Sequence, residues 1–188
     1  KNKSSSFDYS KMMNSIYKSE KEKNGSWDAY QWLNNEKVLI IGSGPSLLNK
    51  KKQIINFINK NKPKVIFLNI NKIFDEKIAT ATIACHEARI LGDLKMYQNL
   101  KNPLFMPFSN LNPLIKKTLN KNKILDYNLT LKDNTFEINQ RGCKLKWPLA
   151  IAYALSVITI GNPKKIYMVG FDGYQNKHDS RQIEMNEV

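Results

Sequence analysis

Cysteine and long apolar runs are scarce in this sequence, and each shortage excludes a class of protein. The two cysteines, Cys85 and Cys143, are too few and too far apart for a disulfide framework or a four-cysteine zinc site, so we expect free thiols in a reducing compartment. The longest apolar stretch, Leu149 to Ile160, has 12 residues, whereas a membrane-crossing helix needs about 20. These absences predict a cytoplasmic protein with no membrane span.

Arginine is also rare, although the chain is strongly basic. The formal net charge is +14, and the 30 basic residues comprise 27 lysines and 3 arginines. Arginine is the residue that reads base edges and binds phosphate through two parallel hydrogen bonds. No known nucleic-acid-binding motif accompanies the lysines. We therefore interpret the charge as a solvated lysine surface and expect no nucleic-acid partner.

The length of 188 residues suits one ordinary domain. Residues 1–35 differ from the rest and predict an N-terminal helical extension, with an amphipathic helix over 8–23 and a second short helix capped by Ser26. We expect the aromatic residues of this segment to pack it against the main domain or a neighbouring one. Residues 36–188 form the second predicted unit, and we expect the whole chain to be a piece of a longer polypeptide.

From residue 37 onward, predicted strands and helices alternate. Short apolar runs predict five buried strands, at 38–41, 65–68, 79–85, 104–106 and 166–169, and helical patterns lie between them. This order predicts an α/β fold of the Rossmann-like kind, with an open, mostly parallel sheet and helices on both faces. A hairpin is predicted around Asp133-Asn134, with its strands at 129–131 and 135–138.

The strongest local signal is Gly42-Ser43-Gly44-Pro45-Ser46, which follows the first strand and leads into a helix. Glycines let the backbone approach a ligand closely, and the N-terminus of the following helix attracts phosphate. The segment lacks the Gly-Lys-Ser/Thr ending of a Walker A loop, and Leu47 stands where a dinucleotide fingerprint has its third glycine. The sequence thus predicts a phosphate loop, with a tight turn that binds no ligand as the alternative.

Polar residues follow three further strands of the predicted sheet. Asn69 ends the second strand, Ser109-Asn110 follow the fourth, and Asp172-Gly173-Tyr174 follow the fifth. The carboxyl ends of parallel strands meet at one edge, where open α/β folds bind their ligands. NAD-binding folds place a carboxylate at the end of the second strand, and an amide there argues against a dehydrogenase. A nucleotide site at this edge is therefore predicted.

Four motifs resemble a known family. They are V-L-I-I-G-S-G-P-S-L, L-F-M-P-F-S-N, I-N-Q-R and K-K-I-Y-M-V-G-F-D-G-Y-Q-N, in this order between Lys37 and Asn176. Their order and spacing are similar to those of bacterial sialyltransferases that use CMP-sialic acid and of motility-associated flagellin glycosyltransferases. The nearest resemblance is to the sialyltransferase-like domain attached to HMG-CoA-lyase-like aldolases of surface-polysaccharide clusters, where G-F-D-G-Y recurs.

The resemblance implies a metal-independent glycosyltransferase of bacterial surface-glycan biosynthesis. Its donor substrate would be a CMP-activated sugar of the nonulosonic acid type, with no further cofactor, and its acceptor a glycan. Tyr174, which would bond the departing phosphate, and Arg141, which would order the acceptor side, are the catalytic candidates. The nucleotide-binding candidates lie at the strand ends: Gly42, Ser43, Gly44, Pro45, Ser46, Asn69, Ser109, Asn110, Asp172 and Gly173.

The sequence also departs from the family pattern. Cys85-His86-Glu87 stand where the family has an asparagine for the donor sugar, and Ser180 stands where it has a second phosphate-binding tyrosine. We interpret Cys85-His86-Glu87 as a helix start, with a metal or acid-base cluster as the alternative. A second function therefore stays open: a non-catalytic module that binds a nucleotide, glycan or partner and serves an attached aldolase domain. The partners expected besides the nucleotide sugar and the glycan are that aldolase domain or a second copy of the chain.

Overall fold

The fold is seen in a computed structural model that describes residues 24–119 and 123–172. The strands are β1 (Lys37–Ile41), β2 (Lys64–Leu68), β3 (Ala81–Ile83), β4 (Leu104–Met106), β5 (Ile124–Asp126), β6 (Asn128–Leu131), β7 (Glu137–Asn139), β8 (Gly142–Leu145) and β9 (Lys165–Val169). The helices are α1 (Ser46–Asn61), α2 (Glu87–Gly92), α3 (Leu94–Asn99), α4 (Pro113–Thr118) and α5 (Ala150–Ile160). The predicted helix over 8–23 lies outside the described residues.

Six strands form one sheet in the order β5-β4-β3-β2-β1-β9, and every neighbouring pair is parallel. The chain leaves β1 in one direction through β2 to β5, and then returns to place β9 on the other side of β1. Leu39 of β1 accordingly has Val65 on one side and Tyr167 on the other. The topological switch point is thus at the pair β1 and β9, and ligands of open α/β sheets bind outside the carboxyl ends of the strands at such a point.

Alternate residues of β1 face two different layers, because successive side chains of a strand point to opposite faces. Val38 and Ile40 share a buried cluster with Tyr153 and Val157 of α5. Leu39 and Ile41 belong to a second cluster, with Leu47 and Ile54 of α1 among the other members. The continuous apolar run of β1 therefore reflects burial on both faces.

The far half of the sheet is covered on the α1 side by three short helices. Leu104 and Met106 of β4 pack with Ile90, Tyr97 and Ile115, which come from α2, α3 and α4. Helices therefore cover both faces, and the predicted Rossmann-like α/β class is confirmed.

The predicted hairpin around Asp133-Asn134 is wrong in its pairing. β6 and β7 do not pair with each other, because β8 lies between them, parallel to β6 and antiparallel to β7. The tight connection in this three-stranded sheet is instead Gln140-Arg141, between β7 and β8. Leu129, Cys143 and Leu145 of this sheet are buried in the cluster that contains α5.

Residues 24–36 contain turns rather than the predicted short helix at Ser26. Two aromatic residues pack on the sheet, since the rings of Trp27 and Trp32 lie 4.8 and 4.6 Å from that of Phe105, centroid to centroid, whereas Tyr30 is exposed. Leu33 is 1% exposed. Close packing of aromatic rings, rather than helix formation, holds this segment to the domain.

Cys85 and Cys143 are thiols rather than a disulfide, as expected, and both are buried. Burial raises the pKa of the Cys143 thiol to about 12 and raises that of Cys85 further. Thiols in such surroundings are inert, because the thiolate is the reactive form. In the part of the chain that the structure describes, no helix is both long enough and apolar enough to cross a membrane.

Candidate functional site

The glycine loop after β1 lies against the chain segment that follows β9. The N–H of Gly42 donates to the carbonyl of Val169, and the N–H of Gly44 donates to that of Gly170, both at 2.9 Å. A Cβ on Gly44 would lie 2.7 Å from the Gly170 oxygen, nearer than side chains tolerate. Gly170 itself has φ +74°, a conformation that favours glycine. The glycines thus serve close backbone packing at the switch point.

Asp172 binds the N-terminus of α1. One carboxylate oxygen, Oδ2, accepts the backbone N–H of Ser46 at 2.8 Å, and the other, Oδ1, accepts the Ser46 hydroxyl at 2.6 Å. Pro45, at the N-cap position, offers no side-chain acceptor, and the first turn of α1 has no acidic residue. Asp172 therefore supplies the cap and the negative charge that a helix N-terminus favours. This is the position that the sequence analysis assigned to phosphate.

Asn71 is a loop residue that the sequence analysis missed. Its side-chain amide donates to the carbonyl of Gly42 at 3.1 Å, while its Oδ1 accepts the N–H groups of Ile73 at 2.9 Å and Phe74 at 3.0 Å. Asparagine often forms such a turn, because its side-chain oxygen accepts backbone N–H groups two or three residues later in the chain. An asparagine just after a predicted strand is therefore the sequence signal. Asn71 thus links the end of β2 to the glycine loop.

Asn69, the predicted reader at the end of β2, bonds to β3 through its backbone and to α3 through its side chain. Its N–H donates to Ile83 at 2.9 Å, and its Oδ1 accepts the hydroxyl of Tyr97 at 3.5 Å. Its φ of +58° lies in the left-handed region, which asparagine tolerates better than most residues. The asparagine therefore serves a bend in the chain beside the crevice.

Ser109 and Asn110 are tied into a second polar group, at the corner formed by β4, β5 and β6. The hydroxyl of Ser109 donates to the carboxylate of Asp126, which also accepts the Ser109 N–H at 3.2 Å. The side-chain amide of Asn110 donates to Asn128 Oδ1 at 2.6 Å and to the carbonyl of Leu129 at 3.0 Å. These bonds join the end of β4 to the two following strands.

Arg141 lies at the same corner. Its carbonyl accepts the N–H groups of Gly25 at 2.8 Å and Asn128 at 3.0 Å, and its side chain is exposed. Neighbouring strands are about 4.8 Å apart, and β4 and β5 are three and four strands from β1, so the corner is about 14–19 Å from the glycine loop. The structure thus brings Gly42 to Ser46 together with Asp172, and holds Ser109, Asn110 and Arg141 elsewhere. Gly173 and Tyr174 lie outside the described residues.

A cleft of about 570 Å³ opens beside the switch point, between α1 and β9. Its floor and walls are mostly apolar and aromatic, with Leu39, Phe57 and Tyr167 among them, and Ser46, Lys50 and Asp172 line it as well. The rings of Phe57 and Tyr167 are 4.9 Å apart, edge to face. A volume of this size, with a few polar groups in an apolar wall, is typical of small-molecule sites.

Cys85-His86-Glu87 form a helix start, as the sequence analysis expected. Glu87 opens α2, is 1% exposed and accepts the N–H of Asn112 on Oε1 at 3.0 Å. Burial raises the pKa of this carboxyl group and lowers that of His86. Across residues 24–119 and 123–172, no group of three or more His, Cys, Asp or Glu side chains is placed to hold a metal ion.

No protein-family model, no curated protein and no solved structure matches the chain.

Proposed function

We propose that this domain binds a nucleotide-activated sugar in the crevice between the carboxyl ends of β1 and β9. One observation carries the proposal: the switch point of the parallel sheet coincides with the glycine loop and with a cleft of small-molecule size. Each of these features occurs in proteins without ligands. Their coincidence at the edge where such sheets bind nucleotides is what supports binding.

The contact between Asp172 and Ser46 bears on how the ligand would lie. A phosphate beside the start of α1 would face a carboxylate that already accepts two hydrogen bonds from Ser46. Like charges repel, whereas ribose and sugar hydroxyls donate hydrogen bonds to a carboxylate. We therefore place hydroxyl groups of the ligand near Asp172 and direct its phosphate away from α1.

The donor that this proposal favours is a CMP-activated nonulosonic acid, and the favoured reaction is sialyltransferase-like transfer. Both rest on the resemblance of the glycine loop and the G-F-D-G-Y ending to that family. Departure of CMP needs stabilisation of the charge on its phosphate, which hydroxyl and N–H donors provide without a metal. Tyr174 is the proposed donor to that phosphate, and Arg141 the proposed residue on the acceptor side.

Thermal unfolding tests binding, because a ligand that binds only the folded state stabilises it by RT ln(1 + [L]/Kd). Millimolar CMP should raise Tm, and NAD should raise it less. Stabilisation by NAD and none by CMP would contradict the proposal. Release of CMP from CMP-sialic acid and related CMP-sugars then tests transfer. A rate equal to the buffer blank with every donor would contradict the proposed transferase activity.

A second candidate is a non-catalytic module that binds a nucleotide or glycan beside an attached aldolase domain. The observation in its favour concerns Ser109 and Asn110, which the resemblance assigns to the ligand. Their side chains instead donate hydrogen bonds to Asp126 and Asn128. Tyr174→Phe separates the two candidates. In an enzyme it should lower kcat with little change in nucleotide affinity, whereas in a module it can alter affinity alone.

A further inference from the structure

The outer side of β9 is an open edge of the main sheet. β9 is the last strand in the sheet order, and among the described residues no strand pairs with its outer side. It has five residues, and its only charged residue is Lys165, at its start. The opposite edge strand, β5, has three residues and ends in Asp126. Proteins protect exposed edges by shortness, charge or proline, and the edge of β9 has little of this protection.

The hydrogen bonds between β9 and β1 show which backbone groups reach the outer edge. The carbonyl of Val169 accepts the N–H of Gly42 at 2.9 Å, so the backbone groups of Val169 face β1. Successive residues of a strand direct their N–H and C=O groups to opposite sides. The backbone groups of Tyr167 therefore also face β1, whereas those of Ile166 and Met168 face the outer edge. These outward groups can form a ladder with a further strand.

The side chains of β9 are apolar and only partly covered. Tyr167 and Val169 pack at the margin of the cluster under α1, and Ile166 packs at the margin of the cluster that contains α5. Met168 is 44% exposed. The residues that line the cleft come from β1, α1 and 167–172, so no described residue walls the cleft on the far side of β9. The open edge and the open side of the cleft therefore coincide.

A second β9 is complementary to this edge. If two β9 strands run antiparallel around a twofold axis at Tyr167, Ile166 of one copy lies opposite Met168 of the other, and the two residues exchange N–H···O=C hydrogen bonds. On the α1 side, Tyr167 lies opposite its own counterpart. Lys165 lies opposite the apolar Val169, so the two lysines stand at opposite ends of the pair and like charges do not meet.

We infer that two copies of this chain pair antiparallel through β9, around a twofold axis at Tyr167. A second copy fits the edge better than residues 173–188 of the same chain do. A strand that joins this edge would lie between the layers of α1 and α5, and strands in such positions are continuous apolar runs. β9 has such a run over 166–169, whereas residues 173–188 contain no two adjacent apolar residues.

The pairing also completes the cleft. The twofold axis of an antiparallel strand pair is perpendicular to the sheet, so both α1 helices lie on the same side of the extended sheet. The α1 helix of the second copy thus supplies the wall that the cleft lacks beyond β9, and both Tyr167 side chains lie on the floor of one shared groove.

Sedimentation equilibrium of the 188-residue chain tests the pairing. Each copy carries a net charge of +14, so the measurement uses about 0.3 M salt, which screens the repulsion between copies. The original chain should be a dimer. Met168→Lys puts an ammonium group opposite Ile166 and should weaken the dimer about tenfold or more. Met96→Lys is the matched control, because Met96 is 41% exposed on α3, away from β9, and this variant should dimerise like the original chain.

Disulfide cross-linking tests the register of the pair. In an antiparallel pair, residues opposite each other without mutual hydrogen bonds have Cα atoms about 4.5 Å apart, a distance that a disulfide spans. Tyr167→Cys should therefore give a covalent dimer when diamide is added as the oxidant. Cys85 and Cys143 are buried and should not compete. Met96→Cys is the matched control and should stay uncross-linked.

Three results would overturn the inference. The first is a chain that stays monomeric up to about 0.1 mM. The second is a dimer that Met168→Lys does not weaken and Tyr167→Cys does not cross-link, which would place the interface elsewhere. The third is a monomer in which the amides of Ile166 and Met168 exchange slowly with deuterium, which would show that the chain covers this edge itself. The inference goes beyond nucleotide binding, and none of these experiments includes a nucleotide, so its failure leaves the proposed function untouched.

Discussion

The crevice between β1 and β9 and the corner of β4, β5 and β6 both carry polar residues directly after strands, yet the protein uses them differently. In the crevice, backbone N–H groups of the glycine loop and the carboxylate of Asp172 join two chain segments around an open cleft. At the corner, the side chains of Ser109 and Asn110 cross-link strands directly. Polar residues at strand ends are therefore unequal evidence for a ligand, and their partners decide what they do.

The difference has a physical origin in topology. The corner joins strands that follow one another in sequence, so its polar groups satisfy the ends of short strands and the turn between them. The crevice joins β1 to β9, which are adjacent in the sheet and far apart in the chain. The segment after β9 bonds to the glycine loop and to the start of α1, and the cleft opens beside it.

The largest effect is expected from Gly44→Val, which disrupts the crevice and leaves the corner intact. Gly44→Val should reduce the free energy of unfolding by about 3 kcal/mol and abolish nucleotide binding, because the new side chain meets the Gly170 carbonyl, which is fixed in the backbone. Urea unfolding measures the loss. Gly92→Ala is the control: a Cβ there has no neighbour within 4 Å, and its stability should equal or exceed that of the original chain. If Gly44→Val is as stable as Gly92→Ala, the loop does not require glycine at position 44 and is an ordinary turn.

A smaller effect should come from Asp172→Ala, which removes the cap of α1. Loss of the two hydrogen bonds from Ser46 should cost about 1–2 kcal/mol in urea unfolding. The vacated helix N-terminus should also gain affinity for inorganic pyrophosphate, measured by calorimetry, since the repelling carboxylate is gone. Pyrophosphate that binds the original chain as tightly as this variant would contradict the proposed placement of ligand hydroxyls near Asp172.

Two serine variants sharpen the comparison. Ser46→Ala and Ser109→Ala each remove one hydroxyl that donates to an aspartate, and each should cost about 1 kcal/mol of stability. Only Ser46→Ala should also weaken CMP binding, because only Ser46 lies at the crevice. A loss of CMP affinity in Ser109→Ala that matches the loss in Ser46→Ala would show that the corner binds the nucleotide.

The smallest effect concerns Glu87, a buried carboxyl group outside both regions. Since burial raises its pKa in the folded protein, the folded state holds its proton more tightly than the unfolded state does, and the contribution of this group to stability falls as the pH rises above about 4.3. Glu87→Gln should remove that part of the decline. Thermal unfolding between pH 4 and 8 measures it, and identical pH profiles of the variant and the original chain would contradict this account of Glu87.

Much of the main sheet could be predicted from the sequence. Apolar runs between helical patterns identified β1 to β4 and β9, because strands buried on both faces leave a continuous apolar signal. β5 was missed, since Ile124–Asp126 has only three residues and ends in a carboxylate. The pairing of β6 with β8 was missed as well. A turn pair such as Asp133-Asn134 indicates that the chain reverses locally, but it does not show that β8 lies between the two flanking strands, β6 and β7.

The candidate site was only partly predictable, for a similar reason. The glycine loop and the residues after β9 were recognisable as loop ends. The bond between Ser46 and Asp172 joins residues 126 positions apart, and no local pattern records such a contact. The same holds for Asn110 and Asn128, whose amides meet across the corner. Sequence patterns therefore located polar groups at the correct edge of the sheet without showing which of them already bond to one another.

The most direct test of the central claim is a titration of the ¹⁵N-labelled chain with CMP, followed by amide NMR. The account predicts that the largest shifts cluster at Gly42, Gly44, Ser46 and Gly170, whose amides lie at the crevice, and that the amides of Ser109 and Asn110 move little. Shifts concentrated at Ser109 and Asn110, or no shifts at millimolar CMP, would contradict nucleotide binding between β1 and β9.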